Sequence, residues 1–167
     1  MNELVAEISS LFILLAITLS ISIIDWRTMR IPNWINALLG VSGLLFSNFL
    51  PLPGAMDAIA GGVIGGALAL ILRSLYFKVK AIHGLGLGDV KLIAASGCWT
   101  GTAGLMPMLF VASIVALSYC GVQALAGRRV TSTTRLPFGP FLCSGLLLIA
   151  AVHIIYRHPI IDFVTGR

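Results

Sequence analysis

Charge is what this sequence has least of. Only 10% of its 167 residues are charged and six are acidic, against 58% hydrophobic residues and a mean hydropathy of +1.02. Soluble domains carry about 25% charged residues, and so short a chain has no interior able to hide that much apolar surface. A water-soluble globule is excluded, so the solvent must be lipid. Cysteine is equally sparse. Cys98, Cys120 and Cys143 each fall inside an apolar run without C-x-x-C spacing, which argues against a zinc site or a disulfide frame and reads as small packing residues. His83, His153 and His158 lack helical ligand spacing and read as interfacial residues. No serine–histidine or cysteine–histidine nucleophile has local support. The stretch Met1–Glu7 has no basic start of a cleaved signal peptide and carries Glu3 and Glu7, so the first apolar run is expected to be a retained span.

What the chain has instead is long uncharged runs. A spanning helix needs about 20 mostly apolar residues. The run from Ile8 to Ile24 gives a first span, and the polar stretch Asp25–Arg30 and Ile31-Pro32-Asn33 follow it. Proline costs no hydrogen bond at a helix start. A second span runs to about Leu50 before the breakers Pro51, Pro53 and Gly54, and a third covers about Asp57 to Phe77. Within the third, Gly61, Gly62, Gly65 and Gly66 permit close helix contact. The charge-free stretch from Leu92 to Gly127 is too long for one helix. Gly101, Gly104 and Pro107 divide it into spans near 89–104 and 107–126, and Pro137-Phe138-Gly139-Pro140 introduces a last span to about Tyr156. The expectation is an all-α, polytopic membrane bundle of about six transmembrane helices, one domain over 1–167.

The cations orient it. With the N-terminus outside, the loops and edges after spans one, three and five hold Arg27, Arg30, Arg73, Lys78, Lys80, Lys91, Arg128, Arg129 and Arg135, nine of the eleven Lys and Arg. Arg157 and Arg167 lie on the other side. Positive residues mark the cytoplasmic face, so the net charge of +5 is a topology signal and a contact for anionic lipid headgroups, not a nucleic-acid patch. Trp26, Trp34 and Trp99 fit an aromatic belt.

That topology puts Asp25 at the cytoplasmic end of span one and Asp89, behind Gly84, Gly86 and Gly88, at the cytoplasmic start of span four. Glu3, Glu7, Asp57 and Asp162 fall elsewhere. An ionisable group at such depth marks function. Two carboxylates brought together in a poorly hydrated site cannot both stay ionised, so they share a proton. One then takes a proton from water while the other protonates a peptide carbonyl, the division of labour of an aspartic protease. The glycines let a substrate backbone approach and make positive φ values available. Simpler readings compete. Asp89 alone reads as a helix cap and Asp25 as a membrane boundary. A proton relay in a small transporter, or a scaffold protein, also fits two intramembrane acids. Lys91 and Arg27 read as topology anchors, with an electrostatic effect on the neighbouring aspartate as the alternative.

Three stretches resemble the type IV prepilin peptidases, a G-x-G-D family of membrane aspartyl proteases. They are Asp25-Trp26-Arg27-Thr28-Met29-Arg30-Ile31-Pro32-Asn33, Gly86-Leu87-Gly88-Asp89-Val90-Lys91-Leu92 and Leu136-Pro137-Phe138-Gly139-Pro140-Phe141-Leu142. The resemblance implies an endopeptidase of the bacterial inner membrane. It would cut the short basic leader from prepilins or pseudopilins at the cytoplasmic face, with neither metal nor cofactor. It implies Asp25 and Asp89 as the catalytic pair and sets Gly86, Gly88, Lys91, Pro32 and Asn33 at the substrate. Many members carry an extra cytoplasmic segment, often with paired cysteines, that N-methylates the product. Here about eight polar residues separate spans one and two and no C-x-x-C occurs, so cleavage without methylation is expected.

Overall fold

The computed structural model describes residues 2–47, 54–80, 84–127 and 136–156, with no side-chain placement for 2–7, 80 and 154–156. Expectations for Glu3, Glu7, Pro51, Pro53, Lys80, His83, Arg128, Arg129, Arg135, Arg157, His158, Asp162 and Arg167 lie outside the described residues or side chains. The described chain is all helical: α1 (Asn2–Thr28), α2 (Asn33–Phe46), α3 (Ala55–Lys80), α4 (Leu87–Leu125) and α5 (Gly139–Tyr156). Three of these, α1, α3 and α4, are long and apolar enough to cross a membrane, while α2 and α5 are shorter apolar helices. Phe12, Val63, Phe110 and Leu117 stand on the outer surface. That surface suits lipid and not water, so the chain is a membrane protein.

A straight helix of the length of α4 would reach about 58 Å, roughly twice the hydrocarbon core. The chain avoids this by breaking at Gly101, whose φ of 63° and ψ of −171° are not helical. The limb 87–100 begins beside Asp89. The limb 102–125 returns to the same end, where Tyr119 packs against both Trp26 of α1 and Phe141 of α5 at centroid distances of 5.8 and 5.5 Å. Among the described residues six helical segments therefore arise from five continuous elements. The break falls at the first of the three positions the sequence offered, and Pro107 lies inside the returning limb. Asp57, in the first turn of α3, completes the break. Its Oδ1 accepts from the Thr102 backbone N–H at 3.1 Å and from the Thr102 hydroxyl at 2.6 Å, satisfying donors that a new helix start leaves free.

α4 is the centre of the bundle, packed on α3, α5 and α2, with α1 held chiefly against α5. The crossing of α3 with α4 depends on Gly61 and Gly97. A Cβ on either would run into the other's backbone, so the helices approach more closely than any larger residue permits. The core around this axis is aliphatic, with Leu14, Ile21, Leu39, Leu92, Leu105, Met108 and Leu146 fully buried.

Two aromatic or basic side chains depart from expectation. Trp99 is not part of an interfacial belt. It is 4% exposed, and its indole N–H donates to the Leu39 carbonyl at 2.9 Å inside the α2–α4 contact. His153 is likewise interior at 5% exposure, facing the space above Gly104, with neither ring nitrogen partnered among the described residues. Sequence polarity suggested the interface for both, whereas the bundle has room for them inside. Trp26 and Trp34 do stand exposed.

Candidate active site

The C-terminal end of α1 and the N-terminal ends of α2, α4 and α5 meet at one end of the bundle. Asp25 lies in the penultimate turn of α1 and is 5% exposed. Its Oδ2 accepts a hydrogen bond from the backbone N–H of Gly139 at 2.9 Å. Gly139 is the first residue of α5, so its N–H is one of the donors a helix start leaves without an internal partner. The position requires glycine for space, because a Cβ there would sit 2.7 Å from Asp25 Oδ2.

Asp89 occupies the first turn of α4, half-buried, with Gly86 as the cap residue in extended conformation at φ −68° and ψ 148°. Asp89 Oδ2 accepts from the Gly86 N–H at 3.3 Å. The capping role considered for Asp89 is therefore present, exercised from inside the helix. The expected use of positive φ in the glycine loop is corrected here. Among the described residues only Gly101 and Gly127 are glycines with positive φ. The loop glycines supply room instead: a Cβ on Gly86 would lie 3.0 Å from the Asp89 carboxylate, and one on Gly88 3.3 Å from Ile31.

Asp25 and Asp89 line the same cavity, of about 340 Å³, together with Met29, Arg30, Ile31, Gly86, Leu87 and Gly88. Two carboxylates, one cation and a loop of small residues thus surround a space large enough for water and a peptide bond. The chain enters this space through Met29, which ends α1 with φ 53° and donates its N–H to the Asp25 carbonyl at 2.9 Å. Left-handed backbone outside glycine is costly and gathers at functional sites.

The remaining expected substrate residues divide. Gly86 and Gly88 are on the cavity, while Asn33 and Lys91 line a separate groove and bond to one another, Nζ to Oδ1 at 2.7 Å. Pro32 is the cap residue of α2 and lines neither. Sequence reasoning missed Gly139, Met29 and Arg30 at the site. It also missed Asn36, whose Nδ2 donates to the Gly88 carbonyl at 3.2 Å and so ties α2 to the loop before Asp89. For Gly139 a signal existed, in the Pro137-Phe138-Gly139-Pro140 stretch opening a helix. Among the described residues no three His, Cys, Asp or Glu side chains gather where they could hold a metal ion.

Fold and site together define a polytopic helical membrane protein that brings two carboxylates onto one cavity at the edge of its apolar region. The chain belongs to the type IV leader peptidase family, whose sequence model matches residues 12–121. It is similar to the prepilin leader peptidase/N-methyltransferase of Escherichia coli K12, 34% identical over 142 residues, covering 83% of this chain and 61% of that protein. The protein of the same name from Neisseria gonorrhoeae is 33% identical over 149 residues, covering 87% of this chain and 49% of that one. That from Burkholderia pseudomallei 1026b is 31% identical over 134 residues, covering 80% and 43%. The chain thus spans between two fifths and about three fifths of the length of these relatives. No solved structure matches it.

Proposed function

We propose that this chain is a membrane aspartyl endopeptidase that removes the basic leader from prepilins or pseudopilins, with Asp25 and Asp89 as its catalytic pair. The observation that carries the reading is the single cavity lined by both carboxylates. Membership of a leader peptidase family and the names of its relatives supply the substrate class.

The reaction follows from a pair that shares one proton. The ionised carboxylate takes a proton from a water held between the two. The water oxygen bonds to the carbonyl carbon of the scissile peptide, and the protonated carboxyl gives its proton to the carbonyl oxygen. Collapse of the resulting diol breaks the C–N bond, and the leaving amine takes up a proton. Gly139 and Gly86 hold one oxygen of each acid by a backbone N–H, which fixes where the carboxylates point. Arg30, on the cavity wall, supplies positive charge beside the diol.

The site faces the cytoplasm in this reading. Arg27, Arg30 and Lys91 cluster at the aspartate end, whereas Asp57 is at the other, the bias expected of a cytoplasmic face. The bilayer is then the bacterial inner membrane, with residues 1–167 acting as one peptidase domain. In this reading cleavage proceeds without methylation by residues 1–167, which hold no C-x-x-C pair.

The test is hydrolysis of a prepilin in membranes by Asp25→Asn and Asp89→Asn variants. General acid–base groups contribute about 10²–10⁴-fold, and each variant is expected to lose at least that much. Cleavage persisting in both variants would end the peptidase reading.

A further inference from the structure

Beside the aspartate cavity a second hollow, of about 550 Å³, opens between α2, α3 and the limb 87–100 of α4. Asn33 and Lys91 stand at its end nearest the aspartates, and Leu44, Ile59 and Cys98 line it toward the opposite end of the bundle. Its floor is made of small residues, among them Ala37, Gly40, Ala94 and Ala95, and exposed Val63 forms part of its outer rim. It is therefore a shallow apolar channel that starts beside the acids and runs into the membrane.

Asn36 joins this channel to the site. It is 4% exposed and lines the channel wall, while its Nδ2 donates to the carbonyl of Gly88, the residue before Asp89. That bond fixes the amide orientation and leaves Oδ1 as an acceptor, which has no hydrogen-bond partner among the described residues. A buried acceptor without a donor is unfavourable by roughly 1–3 kcal/mol. Oδ1 is closed off in the free chain, so a small displacement of the wall is needed to bring it to a peptide N–H in the channel, a donor that an acyl chain lacks. Lys91 is the cation on the channel, so a basic segment is repelled there and an uncharged, apolar one is accepted.

We propose that this groove holds the apolar flank of the peptide being cut, the part that stays in the bilayer, while the basic leader lies on the water side of the Asp25–Asp89 cavity. The inference rests on the peptidase reading and adds to it the path of the substrate. Asn36 is then a positioning residue: it meets the bound flank on one side and holds Gly88, and with it the loop that carries Asp89, on the other.

The experiment uses a prepilin with a benzophenone amino acid at single successive positions following the cut. It is mixed with the Asp89→Asn chain in phosphatidylethanolamine–phosphatidylglycerol vesicles and illuminated, and adducts are mapped by mass spectrometry. Cleavage by the unmodified chain is followed in parallel. The expected adducts are on Ala37, Gly40, Val63 or Cys98. A Val63→Trp variant, altered at an exposed rim position, is expected to raise KM about tenfold, with a smaller effect on kcat. Adducts confined to another face, such as Leu72 and Tyr76, or to phospholipid alone, overturn the groove assignment while cleavage by the unmodified chain leaves the peptidase reading standing. Absence of cleavage by the unmodified chain removes that reading, and the groove assignment with it.

Discussion

Gly139 and Asp25, 114 residues apart in sequence, are joined by a 2.9 Å hydrogen bond from the helix-start N–H of one to the buried carboxylate of the other. The contact brings the third of the three sequence motifs to the first, while the second, around Asp89, forms the facing wall of the cavity. A Gly139→Ala variant is expected to lose cleavage by at least tenfold while keeping its helical content. The added Cβ would stand 2.7 Å from Asp25 Oδ2, and a displacement of about 1 Å in an active site can cost 10²-fold. Initial rates on a prepilin, with circular dichroism alongside, check it. Undiminished rates would mean that Asp25 does not depend on this contact.

Met29 predicts the opposite sign. Its φ of 53° closes α1 in a conformation that glycine adopts without strain. Met29→Gly is expected to stabilise the chain by about 1 kcal/mol, a rise of roughly 2–4 °C in thermal midpoint. A thermal-shift measurement in detergent reads this directly, and a fall in midpoint would show that the methionine side chain contributes more than its backbone strain costs.

Packing between α3 and α4 sets a sharper requirement. Gly97→Val would drive its side chain into the backbone of Gly61, whereas Gly121→Val meets nothing within 4 Å. The first variant is expected to fail to accumulate in membranes and the second to accumulate normally. Immunoblots of membrane fractions compare them, and equal levels would contradict the close crossing.

Processed substrate provides a chemical prediction. With no C-x-x-C pair in residues 1–167, the mature N-terminus released by this chain is expected to carry a free, unmethylated amine. An added mass of one methyl group, produced by the purified chain given S-adenosylmethionine, would refute it.

Much of this was legible in the amino-acid order. Uncharged runs announce spanning helices because lipid demands them, and the overlong run after Leu92 could only be divided at a breaker such as Gly101. Asp25 and Asp89 stood out because acids are rare beside hydrocarbon. The unread parts are long-range or depend on depth. The Gly139 contact is made by a backbone N–H, so the Pro137-Phe138-Gly139-Pro140 stretch marks a helix start without naming the carboxylate that it meets. Trp99 and His153 carry polar atoms and so resemble interfacial residues, yet they sit inside because Leu39 offers Trp99 a carbonyl and Gly104 leaves space for the imidazole. The left-handed turn falls on Met29 and not on a loop glycine, since the chain must leave α1 sharply to reach Pro32, and the residue type there gives no warning.

The most direct measurement is an experimental structure of the chain in a lipid nanodisc with an uncleavable leader peptide bound. This account predicts the Asp25 and Asp89 carboxylates both within hydrogen-bond reach, about 2.6–3.2 Å, of one water or of the scissile carbonyl that it would attack. Carboxylates separated by packed helices, or a scissile bond seated away from both, would contradict it.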